Sequence, residues 1–258
     1  MRTLIQTLID WIYPPRCMSC RNPLSLQDKT MRALWLCHYC EKLFQPLIKP
    51  GCNICSAPVN PDVKVCASCN GKNFSFIHNR SAFAYDDLVR DMLHEIKFRG
   101  KKHIAQGLGR LWGRSFLEPI PKTAILIPLP MHPAKKRQRG FDQAQVLAKA
   151  INETTGIKVE YILERTRDTA PQSGLHPRQR IENIDGAFRI KPELSGKIID
   201  QNIILIDDIY TTGSSLNECA RVLKAGGALD VYAITLAIAL RKSGTETIIN
   251  DVANVNKV

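Results

Sequence analysis

The sequence predicts an α/β domain with a mostly parallel sheet covered on both faces, preceded by a small cysteine-rich module, and three observations carry that prediction. Continuous apolar runs of strand length, AILIPL (Ala124 to Leu129), IILID (Ile203 to Asp207) and VYAITLAIAL (Val231 to Leu240), alternate with amphipathic helical patterns. Eight of the nine cysteines fall within the first 70 residues. The chain has 258 residues at 44% hydrophobic content, enough for one ordinary core and something smaller beside it. The expected division is residues 1–72 as the N-terminal helix and cysteine module, 73–240 as the α/β domain, and 241–258 as a polar tail.

The chain starts with apolar residues Leu4, Ile5, Leu8, Ile9 and Ile12 at helical spacing. Gln6, Thr7 and Asp10 interrupt the run, so a short packed helix is expected in place of a signal peptide. Four CxxC pairs follow: Cys17/Cys20, Cys37/Cys40, Cys52/Cys55 and Cys66/Cys69. Two intervening residues turn the chain tightly enough to aim both sulfurs at one ion, and two such knuckles complete a tetrahedral four-cysteine zinc site. Two structural Zn²⁺ ions are therefore expected. The simplest pairing joins neighbouring knuckles in sequence, with a crossed pairing open. A disulfide framework and a thioredoxin-like redox pair fit less well, because no secretion signal is present and four regular knuckles exceed what redox chemistry uses. Eight thiolates with two Zn²⁺ would take residues 17–70 from a net +3 to about −1, which favours a structural or partner-docking role over a grip on nucleic acid.

Phe74 to Tyr85 has strand character, and Asp86 can cap a helix bearing Leu88, Val89, Met92, Leu93 and Ile96. A second helix is expected over Ile104, Leu108, Leu111, Trp112 and Phe116, a third from about Gln143 to Asn152, a short strand near Val159 to Leu163, and a fourth helix from Ser214 to Ala225 that takes in Cys219 as a core residue. No apolar run approaches the roughly 20 residues of a membrane helix, so no transmembrane segment is expected and the chain is read as soluble.

Ligands of such sheets bind beyond the carboxyl ends of the strands. The strand IILID runs into Asp207 and Asp208, and TTGSS then opens a helix. Thr211, Thr212, Ser214 and Ser215 offer hydroxyls, Gly213 lets the backbone approach closely, and the helix N-terminus presents unpaired N–H groups to an anion. Two carboxylates beside that cradle suit the hydroxyl pair of a ribose or the waters of Mg²⁺. A nucleotide P-loop would need GxxxxGK[ST], and there is no lysine here. A second loop, Pro128 to Phe141, is dense in cations; a third, Arg165 to Gly186, has no apolar periodicity. The histidines lack identifiable carboxylate partners and are expected to be surface residues.

The formal charge of +12 is unevenly spread. Residues 97–139 hold eleven cations, among them Lys97, Arg99, Lys101, Lys102, Lys135, Lys136, Arg137 and Arg139, against Glu118 alone. An excess confined to one segment is the footprint of an acidic partner such as a nucleic acid backbone.

DDIYTTGSS resembles the phosphoribosyl pyrophosphate (PRPP) signature of type I phosphoribosyltransferases. The whole of residues 13–240 resembles the competence protein F (ComF) family, a double zinc ribbon followed by that domain. The resemblance rests on the four knuckles, KFRGKK from Lys97, IPLP from Ile127, RQRGFDQ from Arg137, PQSGLHPRQRIEN from Pro171, and Asp207 to Ser215. The family usually has asparagine where Asp142 stands and commonly threonine where Ser215 stands. The resemblance implies the type I phosphoribosyltransferase fold and PRPP bound with Mg²⁺ through Asp207, Asp208, Thr211, Thr212, Gly213, Ser214 and Ser215, with Arg137 and Arg139 on a flexible flap. It also implies a cytoplasmic role handling single-stranded DNA in natural transformation, with other DNA-uptake proteins at the inner membrane as further partners. On that reading Lys97, Arg99, Lys101, Lys102, Lys135 and Lys136 face the nucleic acid. The alternative is an active phosphoribosyltransferase with Asp207 and Asp208 as catalytic residues. No acceptor-base pocket is recognisable, because the zinc module occupies the region that would form it.

Overall fold

The computed structural model describes residues 12–25, 27–47, 51–115, 121, 123–167 and 184–240. The helix expected up to residue 11, most of the third loop with the motif from Pro171, and the expected polar tail lie outside these, as do Phe116, Glu118 and Lys122.

Two short helices, α1 (Lys29–Leu34) and α2 (His38–Glu41), belong to the first cysteine cluster. The α/β domain then runs β1 (Asn79–Ala84), α3 (Asp87–Arg99), α4 (Lys102–Ser115), β2 (Ile125–Pro128), α5 (Pro133–Arg139) and α6 (Gln143–Thr155). It continues with β3 (Leu163–Arg165), β4 (Phe188–Ile190), a 3-10 helix at Pro192–Ile198, β5 (Ile203–Tyr210), α7 (Ser214–Ala225) and β6 (Val231–Ile238). The main sheet has the order β1-β6-β5-β2 with every pairing parallel, while β3 and β4 form a separate antiparallel pair.

Alternate residues of the central strands feed two cores, one per face. Ile204, Ile206, Ile234 and Leu236 pack with α3, α4 and α6; Ile203, Leu205, Val231 and Ala233 pack with α7 and β3/β4. A parallel strand covered on both faces must be apolar at every position, which is why these runs read as continuous. Asp86 caps α3 as expected, accepting from Val89 N at 2.9 Å, and Asp142 caps α6, accepting from Gln145 N at 3.3 Å. Asp142 also accepts from Met131 N at 2.9 Å, so its carboxylate, only 3% exposed, pins the loop after β2 to α6.

The two cysteine clusters sit on opposite faces of the sheet. Cys17, Met18, Leu34 and Cys40 join the core of α3, α4 and α6, whereas Cys52, Cys55 and Cys69 join the core of α7. The first is held tightly. A Cβ on Gly107 of α4 would lie 2.2 Å from the Leu34 carbonyl, and Arg110 donates to the Ala33 carbonyl at 2.8 Å. The second docks along β1, where Asn79 N donates to the Ile54 carbonyl at 2.6 Å and Ser81 N to the Ser56 hydroxyl at 2.9 Å.

Three expectations are corrected. The cation-rich stretch within the Pro128–Phe141 loop forms helix α5, nucleated by the His132 side chain on Ala134 N and by Pro133 at the first turn, and ended by Gly140 at φ 84°. Periodicity does not reveal this helix, because it buries none of its residues. The strand expected at Val159 to Leu163 is reduced to one bridge from Val159 to Leu126, with β3 starting at Leu163. β5 does not stop at Asp207 but continues to Tyr210.

Candidate functional site

β5 delivers Asp207 and Asp208 to the carboxyl edge of the sheet, and Tyr210, Thr211 and Thr212 lead into Gly213. Gly213 holds φ at 76°, a left-handed conformation that side chains resist. It is also the N-cap of α7 and offers no capping side chain, so the positive end of the helix is met only by a long contact from Ser214 N–H to the Thr212 hydroxyl at 3.5 Å. The Thr212 and Ser214 hydroxyls lie 2.8 Å apart beside that end. Asp207, Ile209, Tyr210, Thr211, Gly213, Ser214, Ser215 and Leu216 line one solvent-open cleft. Of the residues singled out in the sequence, Asp207, Thr211, Gly213, Ser214 and Ser215 therefore face a common space, while Asp208 is buried behind it and Thr212 stands beside it.

Two adjacent acids in a buried strand need compensation, and it comes from helices distant in sequence. Lys97 of α3 places its ammonium 2.6 Å from Asp208 Oδ2. Gln143 of α6 donates its amide N–H to the same oxygen and accepts from the Arg139 guanidinium through its own Oε1. Burial opposes ionisation of Asp208, but Lys97 holds its carboxyl below the ordinary range. Burial and the neighbouring Asp208 charge push Asp207 well above it. The pair is thus split into an ionised Asp208 and an Asp207 that resists a second charge. Sequence reasoning does not find Gln143 as a site residue; it stands at the end of the RQRGFDQ motif, but an uncharged amide at the start of a helix gives no signal of its own. Arg137 is exposed on α5, while Arg139 is half-buried toward Asp208.

The remaining cations divide. Arg99 and Lys101 both pair with Glu95, Arg99 at 2.8 Å, and Arg21 of the first knuckle reaches the same carboxylate at 3.2 Å. Arg110 pairs with Glu153 at 2.7 Å. Counting charge within residues 97–139 overstates the surface excess, because the acids that answer these cations, Glu95, Glu153 and Asp208, all lie outside that window. Lys102, Lys136 and Arg137 are exposed and Lys135 is half-buried. Phe98 is 72% exposed with its ring 4.6 Å from that of His94, whereas Trp112 is core.

The cysteines gather as two separate sets, Cys17/Cys20/Cys37/Cys40 and Cys52/Cys55/Cys66/Cys69, which settles the pairing in favour of sequence neighbours. Cys20 Sγ lies 3.8 Å from Cys37 Sγ and Cys55 Sγ lies 3.7 Å from Cys66 Sγ. A tetrahedral site with Zn–S bonds of about 2.3 Å requires sulfur separations of about 3.8 Å, so both sets fit zinc. Both knuckle pairs use the same turn: the residue after the second cysteine, Arg21 or Ser56, takes a positive φ of 66° or 62°. A backbone N–H from Cys40 brings the Cys37 thiol down to about 7, whereas burial pushes Cys40 and Cys69 up to about 12. Four clustered sulfurs cannot all ionise without a cation, and zinc supplies the charge that makes them a structural tetrad.

A double zinc ribbon domain model matches residues 8–70, and a phosphoribosyl transferase domain model matches residues 137–258. The chain is 29% identical to the Competence protein ComFC of Bacillus subtilis, over 85% of this chain and 93% of that protein. It is 27% identical to the DNA utilization protein YhgH of Escherichia coli K12, over 84% and 94%. With the Competence protein F of Haemophilus influenzae it shares 25% over 87% and 97%. Among solved structures, the glutamine PRPP amidotransferase of B. subtilis matches with TM-score 0.34 and 16% identity, over 51% of this chain. The chain spans a quarter of that structure's length. A hypoxanthine phosphoribosyltransferase of Staphylococcus aureus matches with TM-score 0.30 and 15% identity, over 54% of this chain and 64% of the other. Among the described residues no helix is long and apolar enough to cross a membrane. With two four-cysteine ribbons ahead of a parallel-sheet phosphoribosyltransferase domain, the chain is a homologue, along most of its length, of the ComF-type competence and DNA utilization proteins.

Proposed function

We propose that the protein binds PRPP in the cleft at Asp207–Ser215 and single-stranded DNA on the adjoining cationic surface, handling DNA taken up in natural transformation in the cytoplasm. One observation carries the PRPP reading: the uncapped N-terminus of the twelve-residue α7 opens into the same cleft as the Asp207 carboxylate. An anion is favoured at the helix end and hydroxyl donors are favoured at the acids, the two halves of a phosphorylated ribose. An ionised carboxylate has about four acceptor positions, so Asp208 keeps capacity beyond its bonds to Lys97 and Gln143, and Asp207 gains capacity for ribose hydroxyls or for the waters of Mg²⁺ once it gives up its proton. Mg²⁺, when bound, would neutralise the pyrophosphate; Arg139 stands ready to do the same from α5. Exposed Lys102, Lys136 and Arg137, with Lys135, support backbone contacts to DNA. The names of the competence and DNA utilization relatives agree with a DNA-handling role.

Calorimetric titration of the zinc-loaded protein with PRPP and Mg²⁺ tests the first half, and absence of binding at millimolar ligand would end it. The second reading, an active transferase, is favoured by the splitting of the Asp207/Asp208 pair, which leaves one carboxylate ionised beside the ribose. Pyrophosphate release from PRPP, measured over a panel of bases and amines with and without single-stranded DNA, decides between them. Turnover abolished by Asp207→Ala with Asp208→Ala, with DNA affinity kept, would establish the transferase.

A further inference from the structure

Tyr210, the last residue of β5, is 4% exposed and belongs to neither half of the chemistry above. Its ring lies between two features that are far apart along the chain. On one side its hydroxyl neighbours Cys69, a ligand of the second zinc tetrad, inside the core that Tyr210 shares with Cys52, Cys55 and Cys69. On the other side it packs against the phosphate turn. A Cβ on Gly213 would lie 2.7 Å from the Tyr210 hydroxyl and 3.0 Å from Cζ and Cε2. The ring therefore braces the one residue of the turn held at positive φ.

A second strut runs in parallel. Ser75, six residues beyond Cys69, donates its backbone N–H at 2.6 Å to the side-chain oxygen of Asn217 in the first turn of α7. Cys52, Cys55 and Cys69 share one buried core with Phe76, Tyr210 and Leu216. The first tetrad packs against the opposite face of the sheet, on α4.

We infer that Tyr210 is a positioning residue that couples the second zinc ribbon to the phosphate turn, so that metal at Cys52/Cys55/Cys66/Cys69 holds Thr211–Ser215 in its anion-binding form. This rests on reading that turn as the PRPP phosphate site. The physical basis is that zinc fixes Cys69 Sγ, the phenol packed beside that sulfur is held with it, and its ring bounds the space open to Gly213. The two ribbons are then unequal: the second is part of the ligand site and the first is a brace for the opposite face. Partners that hydrogen-bond metal ligands commonly alter metal affinity by about 10- to 100-fold when removed. Coupling of binding free energies is reciprocal, so a ligand in the turn must tighten the binding of that zinc.

The test uses the full zinc-loaded chain and needs no turnover. Zinc transfer to a chromophoric chelator is followed in wild type and Tyr210→Phe, with amide exchange of residues 211–217 in the same proteins and in Cys20→Ser and Cys66→Ser. The expected result is one zinc of two released about 10- to 100-fold faster in Tyr210→Phe. Exchange of the turn should rise in Tyr210→Phe and Cys66→Ser but not in Cys20→Ser. Wild-type zinc release together with unchanged exchange in Tyr210→Phe would overturn the coupling, and that conservative variant decides the matter even if Cys66→Ser fails to fold. Saturating PRPP should lower the fraction of the same zinc transferred to the chelator at equilibrium in wild type. If calorimetry detects no PRPP binding, the ligand assignment fails alone, while chelator and exchange data still decide whether Tyr210 links the ribbon to the turn.

Discussion

Gly107→Ala gives opposite signs for a docked and a tethered first ribbon. On an unobstructed helix face, replacing glycine with alanine stabilises by about 1 kcal/mol through backbone entropy and propensity. In α4 the new Cβ would stand 2.2 Å from the Leu34 carbonyl oxygen and 3.3 Å from Met18 Sδ. The sulfur can rotate away, but the carbonyl is backbone at the end of α1. The ribbon must withdraw by roughly 1 Å or more to restore ordinary contact. Overpacking of this kind costs about 1–3 kcal/mol. Withdrawal also stretches the 2.8 Å bond from Arg110 to the Ala33 carbonyl, a charged hydrogen bond worth about 1.5–3 kcal/mol. Set against the propensity gain, the net loss is about 1.5–5 kcal/mol, or roughly 3–20 °C in melting temperature for a chain of this size. Thermal unfolding followed by near-ultraviolet circular dichroism, with zinc equimolar to the sites, reads this directly. A melting temperature that rises in Gly107→Ala would refute the docking of the ribbon on α4.

Chelation should remove two zinc ions per chain with uptake of protons, and zinc retention should weaken as pH falls; Cys37 and Cys52, brought to about 7, ionise first, while Cys40, pushed up to about 12, is ionised only by the metal. Metal content after dialysis at stepped pH checks this. Asp207, held above the ordinary range by burial and Asp208, must release its proton to accept hydroxyls, so PRPP affinity should tighten as pH rises through its folded value. Calorimetry in buffers of different ionisation heat should detect proton release on binding, lost in Asp207→Asn. Lys97→Met should destabilise the fold by about 2–4 kcal/mol near neutral pH, because it strands a buried carboxylate. Thermal melts at stepped pH should show the loss shrinking on acidification, since Asp208, depressed in the wild type, gives its stability above its unfolded value and loses it as pH falls through the folded one. Neutralising Lys102, Lys135, Lys136 and Arg137 to glutamine should flatten the salt dependence of oligonucleotide binding by about one unit of log–log slope for each phosphate no longer neutralised; an unchanged slope would move the DNA surface elsewhere.

What can be read in the sequence is what local geometry dictates. The tetrads follow from two-residue spacing, α3 and α6 begin at Asp86 and Asp142 because a short carboxylate caps the chain there, and α7 begins at Ser214 after a residue type that tolerates Gly213's φ. What cannot be read depends on partners remote in the chain. An acid pair facing water would end β5 at Asp207, but Lys97 and Gln143 answer Asp208 and allow the strand to continue to Tyr210. Helix α5 lacks an apolar stripe, so periodicity is silent and only His132, Pro133 and Gly140 mark its ends. The surplus of cations shrinks in the fold for the same reason that Gln143 is silent in the sequence: the groups each residue meets come from other elements.

The close seat of Leu34 on Gly107 bears on the order in which the chain takes shape during synthesis. Seventy-three residues separate the two, and at roughly 5–20 residues per second the ribbon emerges several seconds before its seat exists. Through that interval Met18, Leu24, Leu34 and Phe44, all buried at the end, have no α4 to cover them. Capture of the metal by Cys17, Cys20, Cys37 and Cys40 would fold the ribbon locally through that interval. A cell starved of zinc would lose this protein first to aggregation at birth, before any finished molecule had surrendered its ion.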